Sequence, residues 1–334
     1  MIEVRNLSKS YGDVRAVRDV SFDVGRDQVV GFLGPNGAGK TTIMKILTCF
    51  HFPTEGTAVV DGVSVADDPV RVKERIGYLP ENVPLYGDLS VDEHLAFAAE
   101  ARLIPKRERR RAVDAALEAC GLTGFRGRRV ETLSKGYRQR AGLALAILHD
   151  PPILILDEPT GGLDPNQIIE IRELIRELGR RKTVILSSHI LREVEAICSR
   201  VLIVNRGTIA AQGTPAEIAA SMRGGDTWEI LVKSAGSAGA GAGLIAERLS
   251  GLGDGIGSIR SRDLGDGVVE LGFFVPVGEE DSPHSGGERI FDWAVGEGLK
   301  VLGMSRSRLS LEDIFVSLTA ATETSAAATE GGRV

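Results

Sequence analysis

Three short stretches of this chain carry residue types that can work on a phosphate. The first is Gly34–Thr41, GPNGAGKT, which satisfies G-x-x-x-x-G-K-[ST] and lies between an apolar strand-like run and an apolar-periodic helix. Glycines let such a loop curl so that several backbone N–H groups point at β- and γ-phosphate oxygens. Over Gly34, Pro35, Asn36, Gly37, Ala38, Gly39, Lys40, Thr41 and Thr42, Lys40 adds a point charge and the Thr41 hydroxyl can ligate Mg²⁺. The second is Ile153–Pro159, ILILDEP, a short apolar strand ending in two acids. Asp157 stands at the strand's C-terminal end, where ligands bind in open α/β sheets, and would hold Mg²⁺. Glu158 follows and would face the γ-phosphate, where a carboxylate polarises an attacking water. The third is His189, which ends TVILSSH one helix and one strand after Asp157. That places it on a neighbouring strand tip, able to hydrogen-bond the phosphate and hold the water.

Such groups must be positioned by strands and helices, and the chain supplies them in alternation. MIEVRNL, VRDVSFDV and QVVGFLG read as short strands separated by turns, and GTAVVDGVSV as a hairpin. Residues 85–150 change character and predict a helical insertion. Ser90 and Glu93 form a capping box for a helix over 91–103, and Pro105 punctuates it. A second helix, rich in Arg, Ala and Glu, runs from about 106 to Cys120, with Gly121 as its stop. Its basic run KRERRR reads as a solvated helix face. A third helix opens at Ser134–Lys135–Gly136. PPILILDEP and TVILSSH are buried strands, IIEIRELIRELGRR an amphipathic helix and RVLIVNRGTIAAQG a hairpin. Strand–helix–strand alternation predicts a doubly wound α/β sheet.

After about residue 222 the pattern shifts. The order strand, helix, strand, strand, helix, strand suits a small ferredoxin-like α+β domain over 223–319. It carries a Gly/Ala/Ser-rich loop at 234–243 and a last helix in SLEDIFVSL. Residues 320–334 have the composition of a disordered tail.

Bulk properties exclude several classes. The 334 residues suggest about two domains. A net charge of −6 argues against a general nucleic-acid-binding surface. Cys49, Cys120 and Cys198 lie far apart with no metal spacing and read as reduced, packed thiols. The opening MIEVRNLSKSYG has no apolar signal region, and no apolar run approaches a bilayer span. The expected location is cytoplasmic, so a membrane process would need another subunit for its membrane part.

The stretch ETLSKGYRQRAGLALAIL sharpens the function. Backbone N–H groups and a positive dipole at Ser134–Gly136 make half of an anion site, with nothing beside it to complete one. The order of glycine loop, helical insertion, LSKGYRQR, ILILDEP, GGLD and a strand ending in His189 resembles the ATP-binding subunit of ABC transporters over about residues 1–220, within an expected ATPase domain of 1–222. The resemblance implies a P-loop NTPase cassette: a RecA-like core with an antiparallel β subdomain and a helical insertion. It makes Leu133–Tyr137 the signature loop, with Ser134, Lys135 and Gly136 meeting the γ-phosphate of an ATP held by another chain. It makes GGLD, ending at Asp164, the D-loop, His189 the switch histidine and Tyr11 the aromatic that stacks on adenine. It implies ATP and Mg²⁺ as ligands, a head-to-tail dimer, homo- or heteromeric, and a membrane permease as partner.

Two positions depart from the commonest family pattern. The signature loop usually reads LSGGQ, whereas here Lys135 replaces a glycine and Tyr137 the glutamine. The loop after IGYLP usually carries glutamine, and here Glu81 stands there. Glu81 would either ligate Mg²⁺ in its place or be a solvated loop acid. Together, IGYLPENVPLY, LSKGYRQR, GLDPNQ and LEDIFVSLT look like the ATPases paired with ABC-2-type permeases, nearest the gliding-motility-associated and copper-processing (NosF-like) members. The resemblance therefore implies an ATP-hydrolysing subunit that couples to movement of an ABC-2-type permease, in the direction of export. Two alternatives stand beside it: a non-transport ABC ATPase acting on ribosomes or DNA, and an ATPase whose C-terminal domain senses a ligand.

Overall fold

The computed structural model describes residues 1–215, 217–218, 225–234, 241–251, 256–276 and 285–307. The chain divides into two compact units at Pro215–Ala216, seven residues before the expected change at 222.

The first unit holds two sheets. One is antiparallel, in the order β2-β1-β4-β5, from β1 (Ile2–Tyr11), β2 (Val14–Val24), β4 (Glu55–Val60) and β5 (Val63–Ser64). The other has the order β10-β9-β3-β8-β7-β6. It comprises β3 (Val29–Leu33), β6 (Ile76–Leu79), β7 (Ile153–Leu156), β8 (Thr183–Ser188), β9 (Arg200–Asn205) and β10 (Thr208–Gly213). All its pairings are parallel except β9–β10. Every residue of β7 and β8 is buried, as expected of central parallel strands covered on both faces. Helix α1 (Lys40–Leu47) shares one core with both sheets: Phe22, Phe32, Met44, Ile155 and Ile185 all belong to it. The Phe22 and Phe32 rings meet edge to face, with centroids 5.3 Å apart.

The helical insertion forms as its signals require. Helix α3 (Val91–Ala101) carries the full capping box: Ser90 Oγ accepts from Glu93 N, and Glu93 accepts from Ser90 N at 2.8 Å. It ends two residues before the predicted end. Leu103 takes φ +58°, and the bonds Leu103 N to Glu100 O and Ile104 N to Ala99 O close a Schellman turn. Helix α4 (Lys106–Ala119) ends the same way, with Gly121 at φ +64°. It buries Val113, Ala116 and Leu117, while Arg107, Arg110 and Arg111 of the basic run are exposed. Helix α5 (Lys135–Ile147) completes the insertion.

Helix α2 (Pro69–Arg75), capped by Asp68, leads into the edge strand β6, which fits between α5 and β7 only because Gly77 has no side chain. A Cβ there would stand 2.1 Å from the Ala146 carbonyl oxygen. Gly77→Ala is therefore expected to destabilise the first unit by about 1–3 kcal/mol, read as a lower midpoint of its urea transition. Helices α6 (Pro165–Gly179) and α7 (Leu191–Ile197) pack on β8, and α7 also on β3.

The consequence for function is directional. Because β3, β8, β7 and β6 are parallel neighbours, the segments after each of them leave the sheet at one edge. These carry, in that order, the glycine loop, His189, the Asp157–Glu158 pair and Glu81.

The second unit has the elements β11 (Gly225–Ser234), α8 (Ala242–Ser250), β12 (Gly257–Gly265), β13 (Val268–Pro276), α9 (Ser285–Gly296) and β14 (Leu299–Ser307). Its antiparallel sheet runs β12-β13-β11-β14, the ferredoxin-like order. Trp228, Ile230 and Val232 alternate with non-buried residues and pack with Val269, Leu271 and Phe273 against Ile245 and Leu249 of α8 and Ile290 and Trp293 of α9. The expected last helix in SLEDIFVSL, the tail at 320–334 and residues 235–240 of the Gly/Ala/Ser-rich loop lie outside the described residues.

Candidate active site

The glycine loop is built by close backbone approach. A Cβ on Gly34 would stand 2.3 Å from Val204 O, and one on Gly39, at φ +107°, 2.6 Å from Ala16 O. The turn between β9 and β10 braces the loop. Gly207 N donates to Ala38 O at 2.8 Å, and Arg18 N of β2 donates to Gly207 O at 2.7 Å. No side chain caps Gly39, so the first-turn N–H groups of α1 are left for a ligand.

Lys40 is buried inside this loop. Its Nζ donates to Gly34 O at 2.6 Å and Pro35 O at 3.2 Å, and stands 3.7 Å from Glu158 Oε1. Burial pulls its pKa below the ordinary lysine value, opposed by the charges of Glu158 and Asp157.

Asp157, 1 % exposed, is fixed from three sides. Its backbone N–H donates to Leu79 O, Ser187 Oγ donates to Oδ1 at 2.6 Å, and Thr41 Oγ1 donates to the same oxygen at 3.3 Å. The second oxygen, Oδ2, is buried and has no hydrogen-bond partner. Glu158 has φ +48° and accepts His189 Nδ1 at 2.9 Å on Oε2. Its own N–H donates to Ser187 Oγ at 2.8 Å. Ser187 therefore holds both acids, a role sequence reasoning missed. Its signal was a pair of adjacent serines at the end of a wholly buried strand.

Lys40, Thr41, Glu158 and His189 line one cleft of about 700 Å³, with Asp157, Ser187, Gly34 and Pro35 outside its lining. Its walls bring together Tyr11, the loop from Asn36 to Thr42, Glu81, Lys135, Glu158 and His189. Tyr11 is 43 % exposed and meets His51 edge-on, with centroids 5.6 Å apart. Gly161 and Gly162 of the GGLD stretch join the lining, as do Ala16 and Asn82, which the sequence had not singled out. Ser134, Gly136 and Asp164 are not part of this wall. Ser134 caps α5 by accepting from Tyr137 N, and Asp164 caps α6 by accepting from Gln167 N. Lys135 reaches from α5 to the turn at Gly162, where its Nζ lies 2.1 Å from the place a Cβ would occupy.

The donors fit a nucleotide with its metal. The cleft offers a backbone cradle, a buried ammonium and the Thr41 hydroxyl, and Asp157 beside that hydroxyl has a buried carboxylate oxygen without a partner. Among the described residues no three or more His, Cys, Asp or Glu side chains converge as a metal cage.

A family model described as "ABC transporter" matches residues 17–161. The ABC transporter ATP-binding protein NatA of Bacillus subtilis (strain 168) is 36% identical over 232 residues, covering 68% of this chain and 94% of NatA. The chain belongs to the ABC transporter ATP-binding proteins. The uncharacterized ABC transporter ATP-binding protein YxlF of the same organism is 32% identical over 318 residues, covering 95% of this chain and 99% of YxlF, so the likeness runs through both units. A solved dimeric ATP-binding cassette in a post-hydrolysis state, bound to ADP and Pi, superposes with a TM-score of 0.59 at 25% identity, covering 64% of this chain and 98% of that one. The protein is thus the ATP-binding and ATP-hydrolysing subunit of an ABC transporter. Subunits of this family form cassette dimers and pair with a membrane permease. Among the described residues of this ABC subunit no helix is long and apolar enough to cross a membrane.

Proposed function

We propose that this subunit drives a separate ABC-2-type permease in export, from the cytoplasmic face of the cell membrane, through a head-to-tail dimer of cassettes. The observation that supports the dimer is the division of the site. The loop from Asn36 to Thr42, Glu158 and His189 share one cleft, which Lys135 also reaches, while Ser134 and Gly136 at the N-terminus of α5 and Asp164 at that of α6 stand outside it. A second chain, the same or a related one, would bring that half-site to the γ-phosphate. The ABC-2 assignment rests on LSKGYRQR and on Glu81 in IGYLPENVPLY.

In this mechanism the loop N–H groups and Lys40 hold the β- and γ-phosphates, and Tyr11 stacks on adenine. Thr41, Asp157 and Glu81 would hold Mg²⁺, which when bound neutralises charge between the phosphates. Glu158 takes the proton of the attacking water, and His189 orients Glu158 and contacts the γ-phosphate. Ser134, Lys135 and Gly136 of the partner chain stabilise the charge on the transferred group, and Asp164 closes the seam. Positioning and electrostatics supply most of the acceleration. Closure pulls on the permease through α3–α5 and the Glu81 loop.

Mixing two defective chains tests the shared site. Lys40→Ala removes the cradle charge, and Gly136→Asp puts a carboxylate where the γ-phosphate would approach. Each variant alone is expected to be inactive. Together they are expected to recover turnover, because a mixed dimer has one site with an intact cradle from one chain and an intact signature from the other. A mixture that stays inactive overturns the head-to-tail arrangement.

A further inference from the structure

Glu158 and His189 meet at the surface of the cleft, on two segments that no strand pairing joins beyond Leu156 and Leu186. A second tie joins the same segments from inside. Glu193, in the first turn of α7, is 5 % exposed. Its Oε2 accepts from Thr160 Oγ1 at 2.5 Å and from Ser188 Oγ at 3.0 Å. Thr160 lies two residues past Glu158, and Ser188 immediately precedes His189. Both are buried, and Ser188 Oγ also accepts from Ile190 N at 2.9 Å, fixing the backbone on the far side of His189. One buried carboxylate therefore bridges the turn that carries Glu158 and the strand end that carries His189.

We infer that Glu193 is a positioning residue for hydrolysis. It holds the Glu158 turn against the His189 strand end from below, so that the 2.9 Å contact between them and their aim at the attacking water persist through the cycle. It touches neither nucleotide nor water. Its hydrogen bonds are charge-assisted, short and sheltered from solvent, the conditions in which such a link keeps its geometry. The inference rests on the roles proposed for Glu158 and His189.

Kinetics of the full-length chain test it, with turnover counted per ATP-binding site. Glu193→Ala and Thr160→Val are expected to lower kcat by about 10²-fold, the cost of misplacing reacting groups by about 1 Å, with the KM for ATP nearly unchanged. Thr160→Ser keeps the hydroxyl and is expected to restore kcat. The double variant His189→Ala/Glu193→Ala is expected to be no slower than His189→Ala alone, because both act through one contact. An additive loss in the double variant, or a KM that rises as kcat falls, would assign Glu193 to general stability and overturn the inference. If Glu193→Ala does not fold, the contrast between Thr160→Val and Thr160→Ser decides by the same criteria. Full turnover in His189→Ala would instead sink the proposed role of His189. A slow His189→Ala beside an unimpaired Glu193→Ala sinks only the role of Glu193.

Discussion

Glu158→Gln is expected to lower ATP turnover by about 10²–10⁴-fold, the range for loss of a general base, while ATP binding persists and the closed dimer accumulates. Glutamine keeps the shape of the side chain, so the wall of the cleft survives. It cannot take a proton, and its neutral amide no longer balances Lys40, 3.7 Å away. With Glu158 neutral, the phosphates face one negative charge fewer beside Lys40, which favours the ATP-bound state. His189 keeps a partner at 2.9 Å, since an amide oxygen accepts as a carboxylate oxygen does. Steady-state phosphate release gives the loss, and size-exclusion chromatography with ATP gives the trapped dimer. Full turnover in this variant would remove Glu158 from the role of base.

Lys40→Ala acts earlier, on binding itself. The ammonium is held by two loop carbonyls and stands among Glu158 and Asp157, both acids. Its removal leaves those carboxylates uncompensated in a buried site that must accept a polyanion. Breaking a buried charge pair by removing one partner costs about 3–5 kcal/mol. A loss of that size in ATP binding is about 10²–10⁴-fold in affinity, measured by titration calorimetry with hydrolysis blocked. Lys40→Arg is not expected to rescue it. A planar guanidinium does not fit the pocket between the Gly34 and Pro35 carbonyls that takes a compact ammonium. Affinity within about threefold of the native chain would contradict the electrostatic account of the cradle.

What sequence reading reached and what it missed divide along a physical line. Gly34 to Thr41, the capping box at Ser90 and the Schellman stop at Gly121 are local devices, dictated by dihedral angles and hydrogen bonds within a few residues. All of them stand in the structure where their types required. The buried strands at 153–156 and 183–188 were legible because parallel strands covered on both faces read as unbroken apolar runs. The misses depend on distant partners. Strand β6 is four residues long with a glycine inside, and what makes it a strand is its pairing to β7. Helix α7 is seven residues with no side-chain cap, held by packing on β3 and β8. Ser187 matters because β8 lies beside β7, and Glu193 because α7 packs back on β8, neither of which is written in their neighbours along the chain. Lys135 drew notice as a departure within its motif. Its reach to Gly162 depends on how α5 stands against the turn before α6.

The brace at Gly207 has a consequence for how the chain is made. Strand β3, which launches the glycine loop, pairs only with β8 and β9. The loop itself is pinned by a bond from Gly207. A ribosome that has released the first forty-two residues has released the whole phosphate-binding motif with Tyr11 and Ala16, but neither the β8 and β9 neighbours of β3 nor the Gly207 turn. The motif remains without its sheet neighbours while the helical insertion and both acids emerge, and it takes its final form only when the β9–β10 turn is free to dock. Nucleotide binding is thus expected only once the chain has emerged to about the end of the first unit, where the β9–β10 turn lies.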